Sequence, residues 1–214
     1  MSNDKIIIYQ LLPRLYGNRN TTRKENGSIS DNGCGKFNDL TASVLKSIWQ
    51  KGATHVWFTG VIRHATKTDY SAHGIPVNHP AIVKGNAGSP YAITDYYDVD
   101  PDLAEDVDSR MAEFEALVAR ARKARLGVII DFVPNHVARQ YASICKPKGV
   151  HDLGADDNCN NGFDPQNNFY YCPGNTFEPY LDLYAGTSEP YHEEPAKATG
   201  NDHFDHKPGQ NDWY

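Results

Sequence analysis

The chain has 214 residues, which is enough for one sizeable domain whose core buries most of its apolar surface. Its 27 acidic residues outnumber its 21 basic residues, and the net charge of −6 argues against nucleic acid as a partner and favours a neutral or small substrate. No run of 18 apolar residues is present, so no membrane span is expected.

The start of the chain bears on its location. Residues 1–5 lead directly into an apolar, strand-like run, which leaves no room for a signal peptide. The chain as written is therefore expected to be cytoplasmic. A periplasmic or secreted protein is the alternative if a leader has been removed.

The first part of the chain predicts a strand followed by a helix. Residues 5–12 form a dense β-branched run, which is typical of a parallel strand covered on both faces. After a loop rich in Gly, Asn and Ser, apolar residues recur at helical spacing over residues 40–49. Asp39 is the candidate N-cap of this helix, and Gly52 lies beyond its end.

Two more strands and a second helix are predicted downstream. Residues 54–58 are apolar and rich in β-formers, whereas residues 59–101 have no clean periodicity and are interpreted as a long loop. From Asp108, apolar residues recur at intervals of three and four and predict a helix that Gly127 closes. Residues 128–132 then form the third strand.

The alternation of strands and helices predicts an α/β fold with a parallel sheet. Three βα units joined by right-handed crossovers account for the pattern up to His136. Beyond that residue the alternation stops, because residues 137–214 are polar, aromatic and rich in turn formers. We interpret this segment as an irregular insertion and not as a fourth βα unit.

The four cysteines lack the CxxC spacing of a zinc ribbon or a redox site. Isolated thiols are one interpretation. Three of the four fall within residues 140–180, so a disulfide there is the other interpretation, and it would be useful outside the cytoplasm.

Polar side chains follow the third predicted strand directly. Asp131, Asn135 and His136 stand at or beyond its carboxyl end, which is where α/β barrels place active-site residues. A carboxylate buried there without a partner is unfavourable, so a charged or hydroxyl-rich group is expected to face Asp131. A structural role is equally compatible with the residues: Asp131 can cap the next segment and His136 can be a satisfied loop histidine.

A second candidate segment is residues 91–101, where aromatic rings alternate with acceptor oxygens in the loop predicted after the second strand. Aromatic rings cover the apolar faces of sugars, and carboxylates and amides accept their hydroxyls. The composition therefore favours a carbohydrate ligand. The alternative is that the loop packs on the rim of the fold, as we expect for Tyr96 and Tyr97.

Taken together, these segments resemble the alpha-amylase family, glycoside hydrolase family 13. The match runs in order over about residues 5–136, and its last segment is similar to the first signature region of that family. It is carried by residues 8–10 (Ile-Tyr-Gln), 35–37 (Gly-Lys-Phe), 52–58, 94–101 (Thr-Asp-Tyr-Tyr-Asp-Val-Asp-Pro) and 131–136 (Asp-Phe-Val-Pro-Asn-His).

The resemblance implies a (β/α)8 TIM barrel interrupted by an irregular domain B after strand three. Residues 1–136 would be the N-terminal part of the barrel, and residues 137–214 would be an incomplete domain B. A barrel of this kind needs about 250 residues, and a three-stranded sheet cannot close, so the 214 residues alone are expected to be unstable.

The resemblance also implies roles for single residues. Tyr91 would stack on the sugar at the cleaved position, and His136 would hydrogen-bond to hydroxyls of that sugar. Asp131 would orient an arginine from the fourth strand. Asn135 would offer its side-chain oxygen to a structural calcium ion, a cation that prefers oxygen ligands.

Members of the family are retaining hydrolases or transglycosylases of α-glucosidic bonds, such as those of starch and maltooligosaccharides. An aspartate attacks the anomeric carbon and a glutamate protonates the leaving oxygen. On the family's pattern these residues follow strands four, five and seven, so no catalytic carboxylate is expected within residues 1–214.

Two other classes of protein share parts of this pattern. A noncatalytic carbohydrate-binding or interaction protein derived from the same fold would have the same N-terminal part. A flavodoxin-like or Rossmann-type protein would also begin with alternating strands and helices, but no GxGxxG follows the first strand, which disfavours it.

Overall fold

A computed structural model describes residues 5–179, 189–199 and 205–209. Short 3₁₀ turns lie between the longer elements of the first 109 residues. In chain order the strands and α-helices are β1 (Ile8–Leu11), α1 (Pro13–Tyr16), α2 (Ile29–Asn32), α3 (Ala42–Gln50), β2 (His55–Phe58), β3 (Ile62–His64), β4 (Ile93–Val99), α4 (Arg110–Lys123), β5 (Gly127–Ile130), β6 (Tyr171–Cys172) and β7 (Ala196–Lys197).

The central element is a parallel sheet of three strands in the order β1-β2-β5. Tyr9 lies opposite Val56, which in turn lies opposite Val128. Helix α3 connects β1 to β2, and α4 precedes β5, so the predicted parallel α/β arrangement is confirmed for this part of the chain. Among the described residues no helix follows β5, so the three strands are accompanied by two long helices and not by three complete βα units.

One hydrophobic cluster joins the sheet to α3 and α4. Side chains from both helices and from the strands pack together with no more than 5% of their surface exposed. Burial of this apolar surface is the main stabilising term of such a fold. The central members of the cluster are Phe37, Leu40, Leu45, Ile48, Val56, Phe58, Leu103, Leu117 and Leu126.

Helix α3 begins two residues later than predicted. Its N-cap is Thr41, whose hydroxyl accepts a hydrogen bond from the Val44 N–H at 3.3 Å. Asp39 caps the preceding 3₁₀ turn instead, where its Oδ2 accepts from the Lys36 N–H at 2.7 Å. Leu40 is fully buried between the two caps, and the chain must turn there to place its side chain in the core.

The long loop predicted for residues 59–101 contains two strands. β3 and β4 pair in antiparallel fashion, with Arg63 opposite Asp95 and His64 opposite Ile93, and the register shifts twice. The prediction missed them because buried charged residues interrupt the apolar alternation on which a strand assignment depends. The end of the second helix was also misplaced: α4 stops at Lys123, and Gly127 is the first residue of β5.

The segment after β5 has little regular structure in its described residues. A two-residue antiparallel pair, β6 with β7, holds a small core of Ile82, Cys172, Phe177 and Ala196. Hydrogen-bonded turns make up most of the remainder. The irregular character that the sequence predicted for this segment is therefore found, whereas a domain boundary at residue 136 stays a prediction.

Candidate functional site

Asp131 lies at the carboxyl edge of the parallel sheet, immediately after β5. Its Oδ1 accepts a hydrogen bond from Trp57 Nε1 at 2.6 Å, and its Oδ2 accepts from the Gly60 N–H at 3.1 Å. The carboxylate thus bridges to the end of the neighbouring strand β2 and does not cap the following segment. Both donors are neutral, and no ion pair among the described residues includes Asp131.

Gly60 can present its N–H to Asp131 because its backbone adopts a φ of +75°. Residues with a side chain rarely adopt this conformation. A Cβ atom at this position would also lie 2.9 Å from the Cβ of Pro90. Gly60 and Pro90 therefore lie against each other.

Three of the four candidate residues line one cleft of about 1150 Å³. Tyr91, Asn135 and His136 lie on its wall together with residues of the segment after β5. Asp131 is not among the lining residues, because its carboxylate is directed at Trp57 and Gly60. Aromatic side chains supply much of the remaining wall: Tyr96, Tyr97, Phe132, Tyr141, Phe169 and Tyr170.

Tyr96 positions the segment that carries His136. Its hydroxyl donates to the Val133 carbonyl at 2.5 Å and also lies 3.4 Å from the His136 carbonyl. Its ring packs against Phe132 and Tyr141, with centroid distances of 5.6 and 5.8 Å, and burial raises the pKa of the phenol. The sequence predicted only rim packing for this residue.

His136 is half-buried, and Asn135 next to it is exposed. The Asn135 side-chain nitrogen lies 3.5 Å from His136 Nδ1, at the limit of a hydrogen bond. Tyr91 keeps 42% of its surface exposed, so its ring face is available to a ligand in the cleft. The amide, the imidazole and the ring together can offer hydrogen bonds and an apolar face to one sugar.

The acidic residues of β4 do not face the cleft, which corrects the expectation that they would accept sugar hydroxyls. Asp95, Asp98 and Asp100 are at most 3% exposed. Asp95 and Asp98 lie in β4, which pairs with β3 and packs against α4, and Asp100 follows directly after that strand. Buried carboxylates require partners, and arginines supply them here.

Arg63 and Arg110 neutralise the first two of these carboxylates. Arg110 binds Asp98 through Nε at 2.7 Å and through Nη2 at 2.8 Å. Arg63 lies 3.4 Å from Asp95 and 3.7 Å from Asp98. Because Asp95 also accepts the backbone N–H groups of residues 144 and 145, this ionic cluster fixes the segment after β5 to the β3–β4 pair.

A second buried group surrounds Asp100 and Asp102. Arg14 pairs with both carboxylates, and the Tyr70 hydroxyl donates to Asp102 at 2.6 Å. Burial raises the pKa of Asp100, while the nearby His64 and Arg14 oppose that shift. Because Arg14 lies in α1, this group holds the residues that follow β4 against the first helix.

Calcium at Asn135 is expected from the resemblance alone. Within the described part of the chain, the one set of three carboxylate, thiol or imidazole groups close enough to share a metal ion is Asp95, Asp98 and Cys145. Arg63 and Arg110 already neutralise that set. Asn135 carries an amide and is not one of these groups, so calcium at Asn135 stays a prediction, and the ion enters no step proposed below.

The four cysteines are free thiols in the structure, which matches the interpretation as isolated residues. Burial raises the pKa of Cys34 to about 11, with smaller contributions from the nearby Asp100 and Asp102 and an opposing one from Arg14. In the ranges that the structure covers, no helix has the length and apolarity needed to cross a bilayer.

Comparison with known proteins gives three kinds of result. No protein-family profile matches the chain. Among curated proteins, Maltase 1 of Drosophila virilis is 23% identical over 192 residues, which cover 88% of this chain and 24% of the maltase. The chain therefore spans about a quarter of the length of this curated relative, and the similarity extends well beyond residue 136.

Among solved structures, this chain is similar to an alpha-amylase from Lactobacillus plantarum, with 25% identity and a TM-score of 0.43 over 65% of this chain and 24% of that one. A maltogenic alpha-amylase from Thermotoga neapolitana is 26% identical, with a TM-score of 0.41 over 64% of this chain and 25% of that one. The resemblance to alpha-amylase-family enzymes predicted from the motifs is borne out by the similarity to the maltase.

Proposed function

We propose that this chain is the N-terminal part of a retaining alpha-amylase-family glycoside hydrolase that acts on α-glucosidic bonds of starch or maltooligosaccharides. The observation that carries the proposal is the meeting of Tyr91, Asn135 and His136 in one aromatic cleft. Residues 1–136 would belong to a (β/α)8 barrel, and residues 137–214 would be part of its domain B. The similarity to a maltase over most of the chain supports this assignment.

In this proposal the chain binds and orients the sugar. The exposed ring of Tyr91 covers an apolar sugar face, and the imidazole of His136 hydrogen-bonds to hydroxyl groups. Tyr96 holds the backbone on both sides of Pro134, so that the imidazole is positioned before the sugar arrives. Preorganisation of this kind reduces the entropy that binding would otherwise lose.

Asp131 acts as a positioning residue in the proposal. Its charge is not neutralised by a described cation, and its two oxygens are held by Trp57 and Gly60. The carboxylate is therefore available to orient an arginine supplied by a strand beyond this segment. A catalytic aspartate nucleophile and a glutamate acid would come from later strands, and residues 1–214 as a separate polypeptide are expected to have no glycosidase activity.

Replacement of His136 by alanine tests the binding role. In the complete natural polypeptide, His136→Ala is expected to lower kcat/KM for maltooligosaccharides about tenfold or more, since hydrogen bonds to the sugar are lost. Release of reducing sugar measures the effect. His192→Ala is the matched control, because the His192 side chain is 72% exposed and does not line the cleft.

Three results distinguish the alternatives. Equal kcat/KM for His136→Ala and wild type would contradict the proposed role of the cleft. Binding of maltooligosaccharides that depends on His136, without any hydrolysis by the complete polypeptide, would favour the noncatalytic carbohydrate-binding protein. A loss of hydrolysis confined to His136→Ala supports the enzyme.

A further inference from the structure

Two aromatic rings in the segment after β5 are exposed although they stack on each other. Phe163 and Tyr170 have ring centroids 5.8 Å apart and planes inclined by 21°. Phe163 is 66% exposed and Tyr170 is 55% exposed. Tyr170 also lines the cleft, whereas Phe163 does not, so the pair extends the aromatic wall of the cleft onto the surface beyond it.

The loop that carries these rings is held in place by hydrogen bonds on both sides. Asp157 accepts the N–H groups of Asn168 and Phe169 and the hydroxyl of Tyr171, at 2.8 to 3.0 Å. The Tyr171 N–H donates to the Gly162 carbonyl at 3.2 Å, next to Phe163. The rings are therefore displayed to solvent by an ordered loop, and a ligand that stacks on them meets a surface already arranged.

Charge and size identify the chemistry of that ligand. Residues 152–170 contain four aspartates and neither lysine nor arginine, which disfavours an anionic ligand such as a nucleic acid or a phosphorylated sugar. Two aromatic side chains bury roughly 300–500 Å² at most, less than the approximately 800 Å² that a stable protein partner covers. The ligand class that fits both observations is therefore a neutral molecule with flat apolar faces and many hydroxyl groups.

We propose that Phe163 and Tyr170 form an additional sugar-binding platform for an α-glucan chain that extends out of the cleft. The proposal rests on the function proposed above and makes it more specific, because it predicts a preference for long substrates over short ones. The side chains of Asn161 and Asp164, which hydrogen-bond to each other at 3.2 Å beside Phe163, can exchange that bond for bonds to sugar hydroxyls.

The platform is tested by binding of thio-linked maltotriose and maltoheptaose, which resist hydrolysis, to the complete natural polypeptide. Phe163→Ala is expected to weaken binding of the heptasaccharide about tenfold, which corresponds to ~1.4 kcal/mol, and to change binding of the trisaccharide less than about twofold. Phe163→Tyr, which keeps the ring, should bind both sugars like the wild type. Calorimetric titration measures the dissociation constants.

Tyr16→Ala is the control, because Tyr16 is 41% exposed in α1 and does not line the cleft. Unchanged heptasaccharide binding by Phe163→Ala, together with a loss of both sugars in His136→Ala, would overturn the platform and leave the proposed function intact. An equal loss of both sugars in Phe163→Ala would also overturn it. A wild-type protein that binds neither sugar would contradict both proposals.

Discussion

Replacing Asp98 with alanine is expected to destabilise the protein by about 3–5 kcal/mol. The Asp98 carboxylate accepts two hydrogen bonds from Arg110 and one from the Val99 N–H at 2.8 Å. Without it, Arg63 and Arg110 remain in the interior, 3% and 9% exposed, with Asp95 as the remaining carboxylate of the cluster. A buried charge that loses its partner keeps the full desolvation penalty, and this is the source of the large effect.

Urea unfolding of the complete natural polypeptide measures this change in the free energy of unfolding. Asp108→Ala is the matched control, because the Asp108 side chain is 70% exposed and pairs with His73 at the surface. Exposed ion pairs contribute about 1 kcal/mol or less, so the control should remain close to the wild type. Similar midpoints for the two variants would mean that the ionic cluster does not hold the segment after β5 to the β3–β4 pair.

Replacing Asp131 with asparagine is expected to lower kcat of the complete polypeptide about a hundredfold while changing KM little. The amide oxygen can still accept from Trp57, whereas the amide nitrogen cannot accept from the Gly60 N–H, and the negative charge that would orient an arginine is lost. A displacement of about 1 Å in a group that acts on the reacting atoms is enough for an effect of this size. Steady-state kinetics on a maltooligosaccharide measures it.

Trp57→Phe separates the charge of Asp131 from its hydrogen bond. This variant removes the 2.6 Å bond to Oδ1 and leaves the carboxylate and the Gly60 N–H in place. Its kcat should fall much less than that of Asp131→Asn. Should both variants lose activity equally, or should Asp131→Asn keep the wild-type kcat, the positioning role of the Asp131 charge would be wrong.

The parallel sheet could be predicted from sequence because its signal is local. Residues 54–58 and 128–132 are short apolar runs that can be recognised without knowledge of distant partners. The first contains β2, and the second overlaps β5. The helix before β5 follows from apolar spacing in the same way. The position of Asp131 at the carboxyl edge of this sheet then follows from the end of the run.

The ionic clusters could not be predicted because they depend on contacts between distant residues. From the sequence, Asp95 and Asp98 are candidates to accept hydrogen bonds from sugar hydroxyls. Only the pairing of β4 with β3 shows that Arg63 lies beside both carboxylates. Arg110 reaches the same cluster from α4. A single sequence does not show which charged side chains form ion pairs inside the fold.

The cleft was predictable in part. Tyr91, Asn135 and His136 were identified, and the structure brings them together. The part of the cleft wall that follows β5, which includes Phe169 and Tyr170, was not predicted. This segment has no periodicity that would indicate which of its aromatic residues face the cleft. The role of Tyr96 depends on a hydrogen bond to a backbone carbonyl, which side-chain identities do not reveal.

The most direct test of the account is to incubate the complete natural polypeptide with maltoheptaose and to follow the anomeric protons of the products by NMR. A retaining α-glucan hydrolase releases the α-anomer first, and the β-anomer appears later as the sugar equilibrates in water. The account predicts this order, with the signal reduced in His136→Ala. Initial release of the β-anomer, or no hydrolysis at all, would contradict it.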